Sequence, residues 1–223
     1  ELTSASDQVD RREDGTPGFY NNFWLDRGTT AVGTRRTSLI VDPPDGRLPP
    51  LTPEAMAAYQ AYDPLRDDPV LECTLPGMPR VITIAGSRPL EFEQRSEDIL
   101  IHSQNYNRTR RIHMNAGVET SEMEATPLGY SRGRWEGETL VVTTSRISYP
   151  FFDLPPWWGV PQTTAIEIVE RFTLDGDTLV YDFWGYDPAT FTEPIDKPGF
   201  LVWTWEPGLE LETDNCENYY EDP

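Results

Sequence analysis

Cysteine and histidine are both scarce in this 223-residue chain, with two of each. The two cysteines, Cys73 and Cys216, stand far apart and have neither CxxC nor zinc-ligand spacing, which leaves a disulfide or two buried thiols. Their neighbours, Glu72 and Thr74 on one side and Asn215 and Glu217 on the other, are polar rather than core-like, which favours the bond and with it an oxidising compartment. No run of 18 or more apolar residues occurs, so the sequence is expected not to span a bilayer. Basic residues are also few: 18 Lys and Arg against 38 Asp and Glu give a formal charge of -20. A polyanionic partner would be repelled over most of the surface, so nucleic acid is excluded as a partner class. No phosphate-cradling glycine loop or dinucleotide fingerprint is present, no cofactor is implied, and the two histidines fall short of a metal set.

Aromatic residues and proline are plentiful, with 7 Trp, 10 Tyr, 9 Phe and 21 Pro. The aromatics argue for a packed fold, and the prolines for many turns. A chain of this length forms one substantial core, so a single domain over 1–223 is expected. Residues 1–88 read as a turn-rich N-terminal arm, 89–206 as an antiparallel β barrel or closed meander, and 207–223 as an acidic tail tied by Cys216. One helix is signalled over about 52–62: Thr52 can cap it, Pro53 suits its first position, Glu54 complements its positive end, and Pro64 stops it.

From Pro89 onward short alternating segments are separated by turns, the pattern of an all-β, mainly antiparallel fold. Strands are expected at 90–95, 99–103, 109–114, 130–135, 139–145, 166–174, 178–184 and 200–205. Glu136-Gly137 and Asp175-Gly176-Asp177 mark two hairpins, because glycine supplies the positive φ of a tight turn. A calycin- or lipocalin-like barrel accounts for this order, and about eight strands can enclose one small ligand.

Three stretches carry more specific wording: Arg36 to Ala55, Gly133-Arg134-Trp135-Glu136-Gly137-Glu138-Thr139-Leu140-Val141-Val142, and Glu170-Arg171-Phe172. With the polar stretch Asn21 to Gly28 and the ending around Cys216, they resemble a family of uncharacterised exported bacterial proteins. The resemblance implies a periplasmic or extracellular location and implies no reaction. The chain departs from the family pattern at Tyr130, Gln162 and Glu167, where relatives often carry histidine.

Gly129-Tyr130-Ser131-Arg132-Gly133 matches the G-x-S-x-G string, but it runs into a hairpin and both histidines precede it, so a nucleophilic Ser131 is not expected. His102 and His113 fall on neighbouring strands with phases that place both rings on one side of the sheet. Tyr130 shares a strand face with Arg132 and Arg134, Glu167 with Arg171, and Asp182 with Trp184. These polar groups form a structural ion-pair network, line a pocket for a polar ligand, or make up a solvated face. Tyr149 to Pro161 holds Trp157 and Trp158 between prolines, which suits a barrel plug, a lid, or a surface for docking a second copy. Asn107-Arg108-Thr109 is a glycosylation sequon that counts only in a glycosylating host.

The leading expectation is therefore an exported small-molecule-handling β-barrel protein. It would act as a cofactor-independent lyase, hydratase or isomerase on an apolar or aromatic compound. Acid–base groups would be Tyr130, His102, His113 and Glu167, with Trp157, Trp158, Trp184, Arg132, Arg171 and Asp182 binding ligand. The alternatives are a non-catalytic ligand-binding protein and a self-assembling extracellular subunit that pairs through 149–161.

Overall fold

The structure, a computed structural model, describes residues 18–19, 48–83, 89–114, 120, 123–155, 157–205 and 210–212. Nine strands form one sheet in sequence order: β1 (Gly18–Phe19), β2 (Leu90–Gln94), β3 (Asp98–Ser103), β4 (Arg108–His113), β5 (Tyr130–Glu136), β6 (Thr139–Ser145), β7 (Glu167–Asp175), β8 (Thr178–Tyr186) and β9 (Ile195–Thr204). All neighbours are antiparallel except β4 and β5, which run parallel over Ile112–Ser131 and His113–Arg132. The mainly antiparallel all-β expectation holds, and the sheet curls into a half-barrel. No helix among the described residues is long and apolar enough to cross a membrane.

The two expected hairpins are formed. β5–β6 pairs Glu136 with Thr139, and β7–β8 pairs Asp175 with Thr178. Gly137 (φ +61°) and Gly176 (φ +57°) lead these two-residue turns, and neither Glu138 nor Asp177 has a positive φ. Positive φ at the first central residue alone is the type II′ pattern, whose twist matches that of the strands. The turn residues are thus Gly137-Glu138 and Gly176-Asp177, one position later than the sequence suggested at the first hairpin. β9 begins at Ile195 rather than near Phe200. Pro198 and Gly199 conceal its first half because proline cannot donate to a ladder. The ladder absorbs them as an irregularity between Tyr181 and Phe183, where the Gly199 amide donates to Asp182 Oδ1 at 2.7 Å.

Helix α1 (Pro53–Ala61) is as expected, with the Thr52 hydroxyl accepting from the Ala55 amide. It is followed by α2 (Pro64–Asp67), a 3-10 turn over Pro69–Glu72, and α3 (Arg80–Thr83). α1, the 78–82 segment and the 149–166 connection share one continuous core with the inner sheet face: Ala55, Met78, Val81, Ile82, Tyr149, Phe152, Leu154, Trp157 and Val160 join Ile101, Ile112, Val142, Ile168, Phe172, Tyr181 and Trp203. Phe152 packs edge-on against Phe183 and Phe191, at centroid separations of 5.7 and 4.8 Å. The burial of the Pro/aromatic stretch fits the plug among its three uses: Tyr149, Phe152, Leu154, Trp157 and Val160 lie in the core, and Phe151 and Trp158 are half-buried.

Candidate functional site

Strand alternation decides which side chains can meet. On β5 the inner residues are Ser131, Gly133 and Trp135, and on β7 they are Ile168, Glu170, Phe172 and Leu174. Tyr130, Arg132, Arg134, Glu167 and Arg171 therefore occupy the outer face. Asp182 and Trp184 of β8 lie there too, as do His102 of β3 and His113 of β4. The expected sharing of faces is observed, but the inward alternative is corrected: the shared face is the outer one. The reason is packing, since the opposite parity carries Ile112, Ile168, Phe172, Leu174 and Phe183.

The outer-face residues divide into small groups. His113 stacks on Tyr130 at 4.5 Å and 13°, and its Nδ1 lies 3.3 Å from Asp98 Oδ1. Arg132 is its cross-strand neighbour. Arg171 and Arg134 both pair with Glu136, at 2.9 and 2.7 Å, and these two arginines flank the buried Val141 between them. Their stems screen the valine from water, an apolar use of charged side chains. Asp182 holds the β9 irregularity, and Glu167 is exposed at the start of β7. The three tryptophans form no common wall. Trp157 is buried beneath Lys197, Trp158 lies 5.4 Å from the Arg80 guanidinium, and Trp184 faces outward beside Tyr186.

Inside the half-barrel sits a polar network that the sequence reading missed. Arg110 crosses the inner face to Glu170, with Nη1 donating to Oε1 at 2.9 Å and Nη2 to Oε2. Its Nε donates to Ser131 Oγ at 2.9 Å and Nη2 to Thr144 Oγ1 at 2.6 Å. The Tyr181 hydroxyl donates to Glu170 Oε1 at 3.0 Å; its burial, then the neighbouring carboxylate, pushes its pKa well up. Every member is buried, and the carboxylate and guanidinium satisfy each other. Gly133 helps keep this region tight, because a Cβ there would come within 2.5 Å of Met114 Sδ. The signal was available: Glu170 shares parity with Ile168, Phe172 and Leu174, and Arg110 with Ile112.

A second buried group ties the helical segment to the plug. Arg80 contacts Asp68 and Asp153, at 3.0 Å each, and Asp153 Oδ1 accepts from the Gly159 amide at 2.8 Å. Burial alone would lower the Arg80 pKa, but Asp153, Tyr149 and Asp68 outweigh it and hold the guanidinium above its ordinary value. The Arg110–Glu170 network is closed by its own partners, whereas Arg80 Nε is buried with no hydrogen-bond partner.

An open cleft of ≈ 290 Å³ lies where the β3–β4 turn meets residues 210–212, lined by Glu91, His102, Ser103, Gln104, Asn107, Arg108, Thr109, Leu211 and Glu212. Glu91, His102 and Thr109 form one cross-strand row on β2, β3 and β4, and Ser103 and Arg108 are opposed in the next. The Glu212 amide donates to Gln104 Oε1 at 3.1 Å, which pins the later segment to the turn. His102 Nε2 lies 3.1 Å from Glu93 Oε2 and Nδ1 3.0 Å from Thr109 Oγ1. A carboxylate only accepts, so Nε2 carries the proton, and with Nδ1 also engaged the ring is held rather than free to accept a substrate proton. Ser103 Oγ and Arg108 Nε are buried with no hydrogen-bond partner. Arg108, Ser103 and Gln104 were not anticipated as site residues, because the segment that completes the cleft is more than a hundred positions away in the chain.

The structure thus defines a β half-barrel with a filled interior and a polar cleft at one end of β2–β4. No family model, curated protein or solved structure matches the chain.

Proposed function

We propose that the protein is an exported binding protein for a small polar molecule, taken up in the cleft between the β3–β4 turn and residues 210–212. One observation carries the reading: of the five described residues with a buried side-chain nitrogen or oxygen that no group satisfies, two, Ser103 and Arg108, are lining residues of the cleft, their orphaned atoms lying just beneath its surface. Buried polar atoms are nearly always paired, and each orphan costs about 1–3 kcal/mol, so a ligand or ordered solvent that completes them is favoured. The ligand is polar rather than aromatic, because among the described residues no aromatic ring apart from His102 lines the cleft, and Trp157 and Trp158 are engaged elsewhere. Export is supported by the sulfur of Cys73, which is not free. Cys216, the chain's one other cysteine, lies outside the described residues. A Cys73–Cys216 bond belongs to an oxidising compartment, as does the family that the motifs resemble.

Amide chemical-shift mapping during a screen of small polar metabolites tests this. A binder should move His102, Thr109 and Glu212 together. Binders that move only other strands, or none in a broad screen, would contradict it.

A second reading is acid–base turnover on the outer face, favoured by the stack of His113 on Tyr130 with Asp98 at the other ring edge. A carboxylate beside a histidine fixes its tautomer and ring orientation. Turnover lost in His113→Gln with cleft binding kept would select this reading; equal product formation by wild type and variant would remove it.

A further inference from the structure

We infer that the molecule bound in the cleft is a small zwitterion of the α-amino-acid type, its carboxylate on the Arg108 guanidinium and its ammonium against Glu212. The inference rests on the cleft being the binding site, and it deepens that reading by assigning the ligand's charges.

Arg108 stands apart from most of the described arginines. Arg66, Arg80, Arg95, Arg110, Arg111, Arg134 and Arg171 each reach a carboxylate within 4 Å, Arg146 Nε donates instead to the Met123 carbonyl at 2.8 Å, and Arg132 is exposed to water. Arg108 reaches none among the described residues, although acidic residues outnumber basic ones 38 to 18. It is also partly withdrawn from water, and that burial pushes its pKa down with no carboxylate to restore it. A partly desolvated guanidinium without a counter-charge is an unfilled carboxylate site, and its planar fork suits two-point recognition.

The opposite pole is equally defined. Glu212 lines the same cleft, and the Gln104 bond to its amide holds that residue at the edge. Carboxylates accept and do not donate, so they take an ammonium or hydroxyl and repel a second acid.

The net charge narrows the choice further. A free anion approaches a chain of formal charge -20 against repulsion, and a simple amine leaves Arg108 uncompensated. A zwitterion has no net charge to be repelled and answers both poles at once. A cleft of ≈ 290 Å³ is at the small end for ligand sites, which suits a single amino acid rather than a peptide or nucleotide.

The test uses the full chain and twenty L-amino acids, followed by calorimetry and amide shifts. The tightest binder is then compared with its decarboxylated amine and with the acid lacking its amino group. Removing the carboxylate leaves the partly desolvated Arg108 without its partner, so the amine should bind roughly 30-fold or more weakly. The acid lacking its amino group loses a pair at an exposed glutamate and should bind about two- to five-fold more weakly. Arg108→Gln should abolish the preference for the amino acid over its amine. Glu212→Gln, at an exposed position, should leave melting unchanged and weaken the amino acid. Ser103→Ala removes an orphaned hydroxyl and should keep or raise the melting temperature, so a folded cleft variant exists even if Arg108→Gln does not fold. An amine or a deaminated acid that binds as tightly as the amino acid would overturn the assignment, as would unchanged affinity in these variants. If another small polar compound moves the cleft amides and no amino acid does, the ligand class falls and the cleft reading stands. If nothing moves them, both fall.

Discussion

Replacing Glu170 by Gln should be among the most damaging single changes in the inner face. Glu170 is fully buried and binds Arg110 through both carboxylate oxygens, with Tyr181 as a third donor. The amide keeps the shape but withdraws the charge, leaving the Arg110 guanidinium buried with only Ser131 and Thr144 as further acceptors. Breaking a buried ion pair from one side costs about 3–5 kcal/mol, because the remaining charge is uncompensated. With a urea slope of about 3 kcal/mol/M for a chain of this size, the unfolding midpoint should fall by roughly 1–2 M. The double variant Arg110→Met/Glu170→Leu removes both charges and should recover most of that loss, since apolar replacement of a buried pair is often neutral or stabilising. Urea unfolding followed by tryptophan fluorescence reads all three proteins. An unchanged midpoint in Glu170→Gln, or a double variant that loses the sum of two independent penalties, would refute the claim that this pair is mutually dependent and dry.

Three further outcomes are expected. Gly137→Val puts a β-branched residue at φ +61°, where the left-handed region costs about 1–2 kcal/mol, and melting should fall by roughly 2–8 °C even though a Cβ there meets nothing within 4 Å. Thiol labelling of the unfolded, unreduced protein should find no reactive cysteine; two per chain would end the proposed Cys73–Cys216 bond. Glu136 is held below the ordinary glutamate range by Arg134 and then Arg171, so its contribution to stability is present above the unfolded value and is lost as pH falls through the folded one. A carboxyl-carbon titration should show a lowered midpoint for Glu136 that moves back up in Arg134→Gln; a midpoint unaffected by that change would contradict the ion pair.

Most of the strand order was legible from residues 89 to 205 because alternation and turn chemistry agree there. Gly137 and Gly176 punctuate the two hairpins, and Thr52, Pro53 and Glu54 announce α1. The phase of β5 was not legible from that strand alone. Its inner residues, Ser131, Gly133 and Trp135, are less obviously core-like than a run of aliphatics, and Arg110 and Glu170 place charges where binary patterning expects carbon. Reading β5 against β7 would have resolved it, since Ile168, Phe172 and Leu174 fix the inner parity and β6 carries it across the ladder. The candidate cleft lay beyond such reasoning. Its wall joins a strand row at 91, 102 and 109 to Leu211 and Glu212, a contact that no local periodicity encodes.

A crystal structure of the full chain grown with its tightest-binding amino acid tests the central claim most directly. The account predicts ligand density between the β3–β4 turn and residues 210–212, with the carboxylate on the Arg108 guanidinium and the ammonium facing Glu212. An empty cleft beside density elsewhere on the molecule, or a ligand seated with its ammonium toward Arg108, would contradict it.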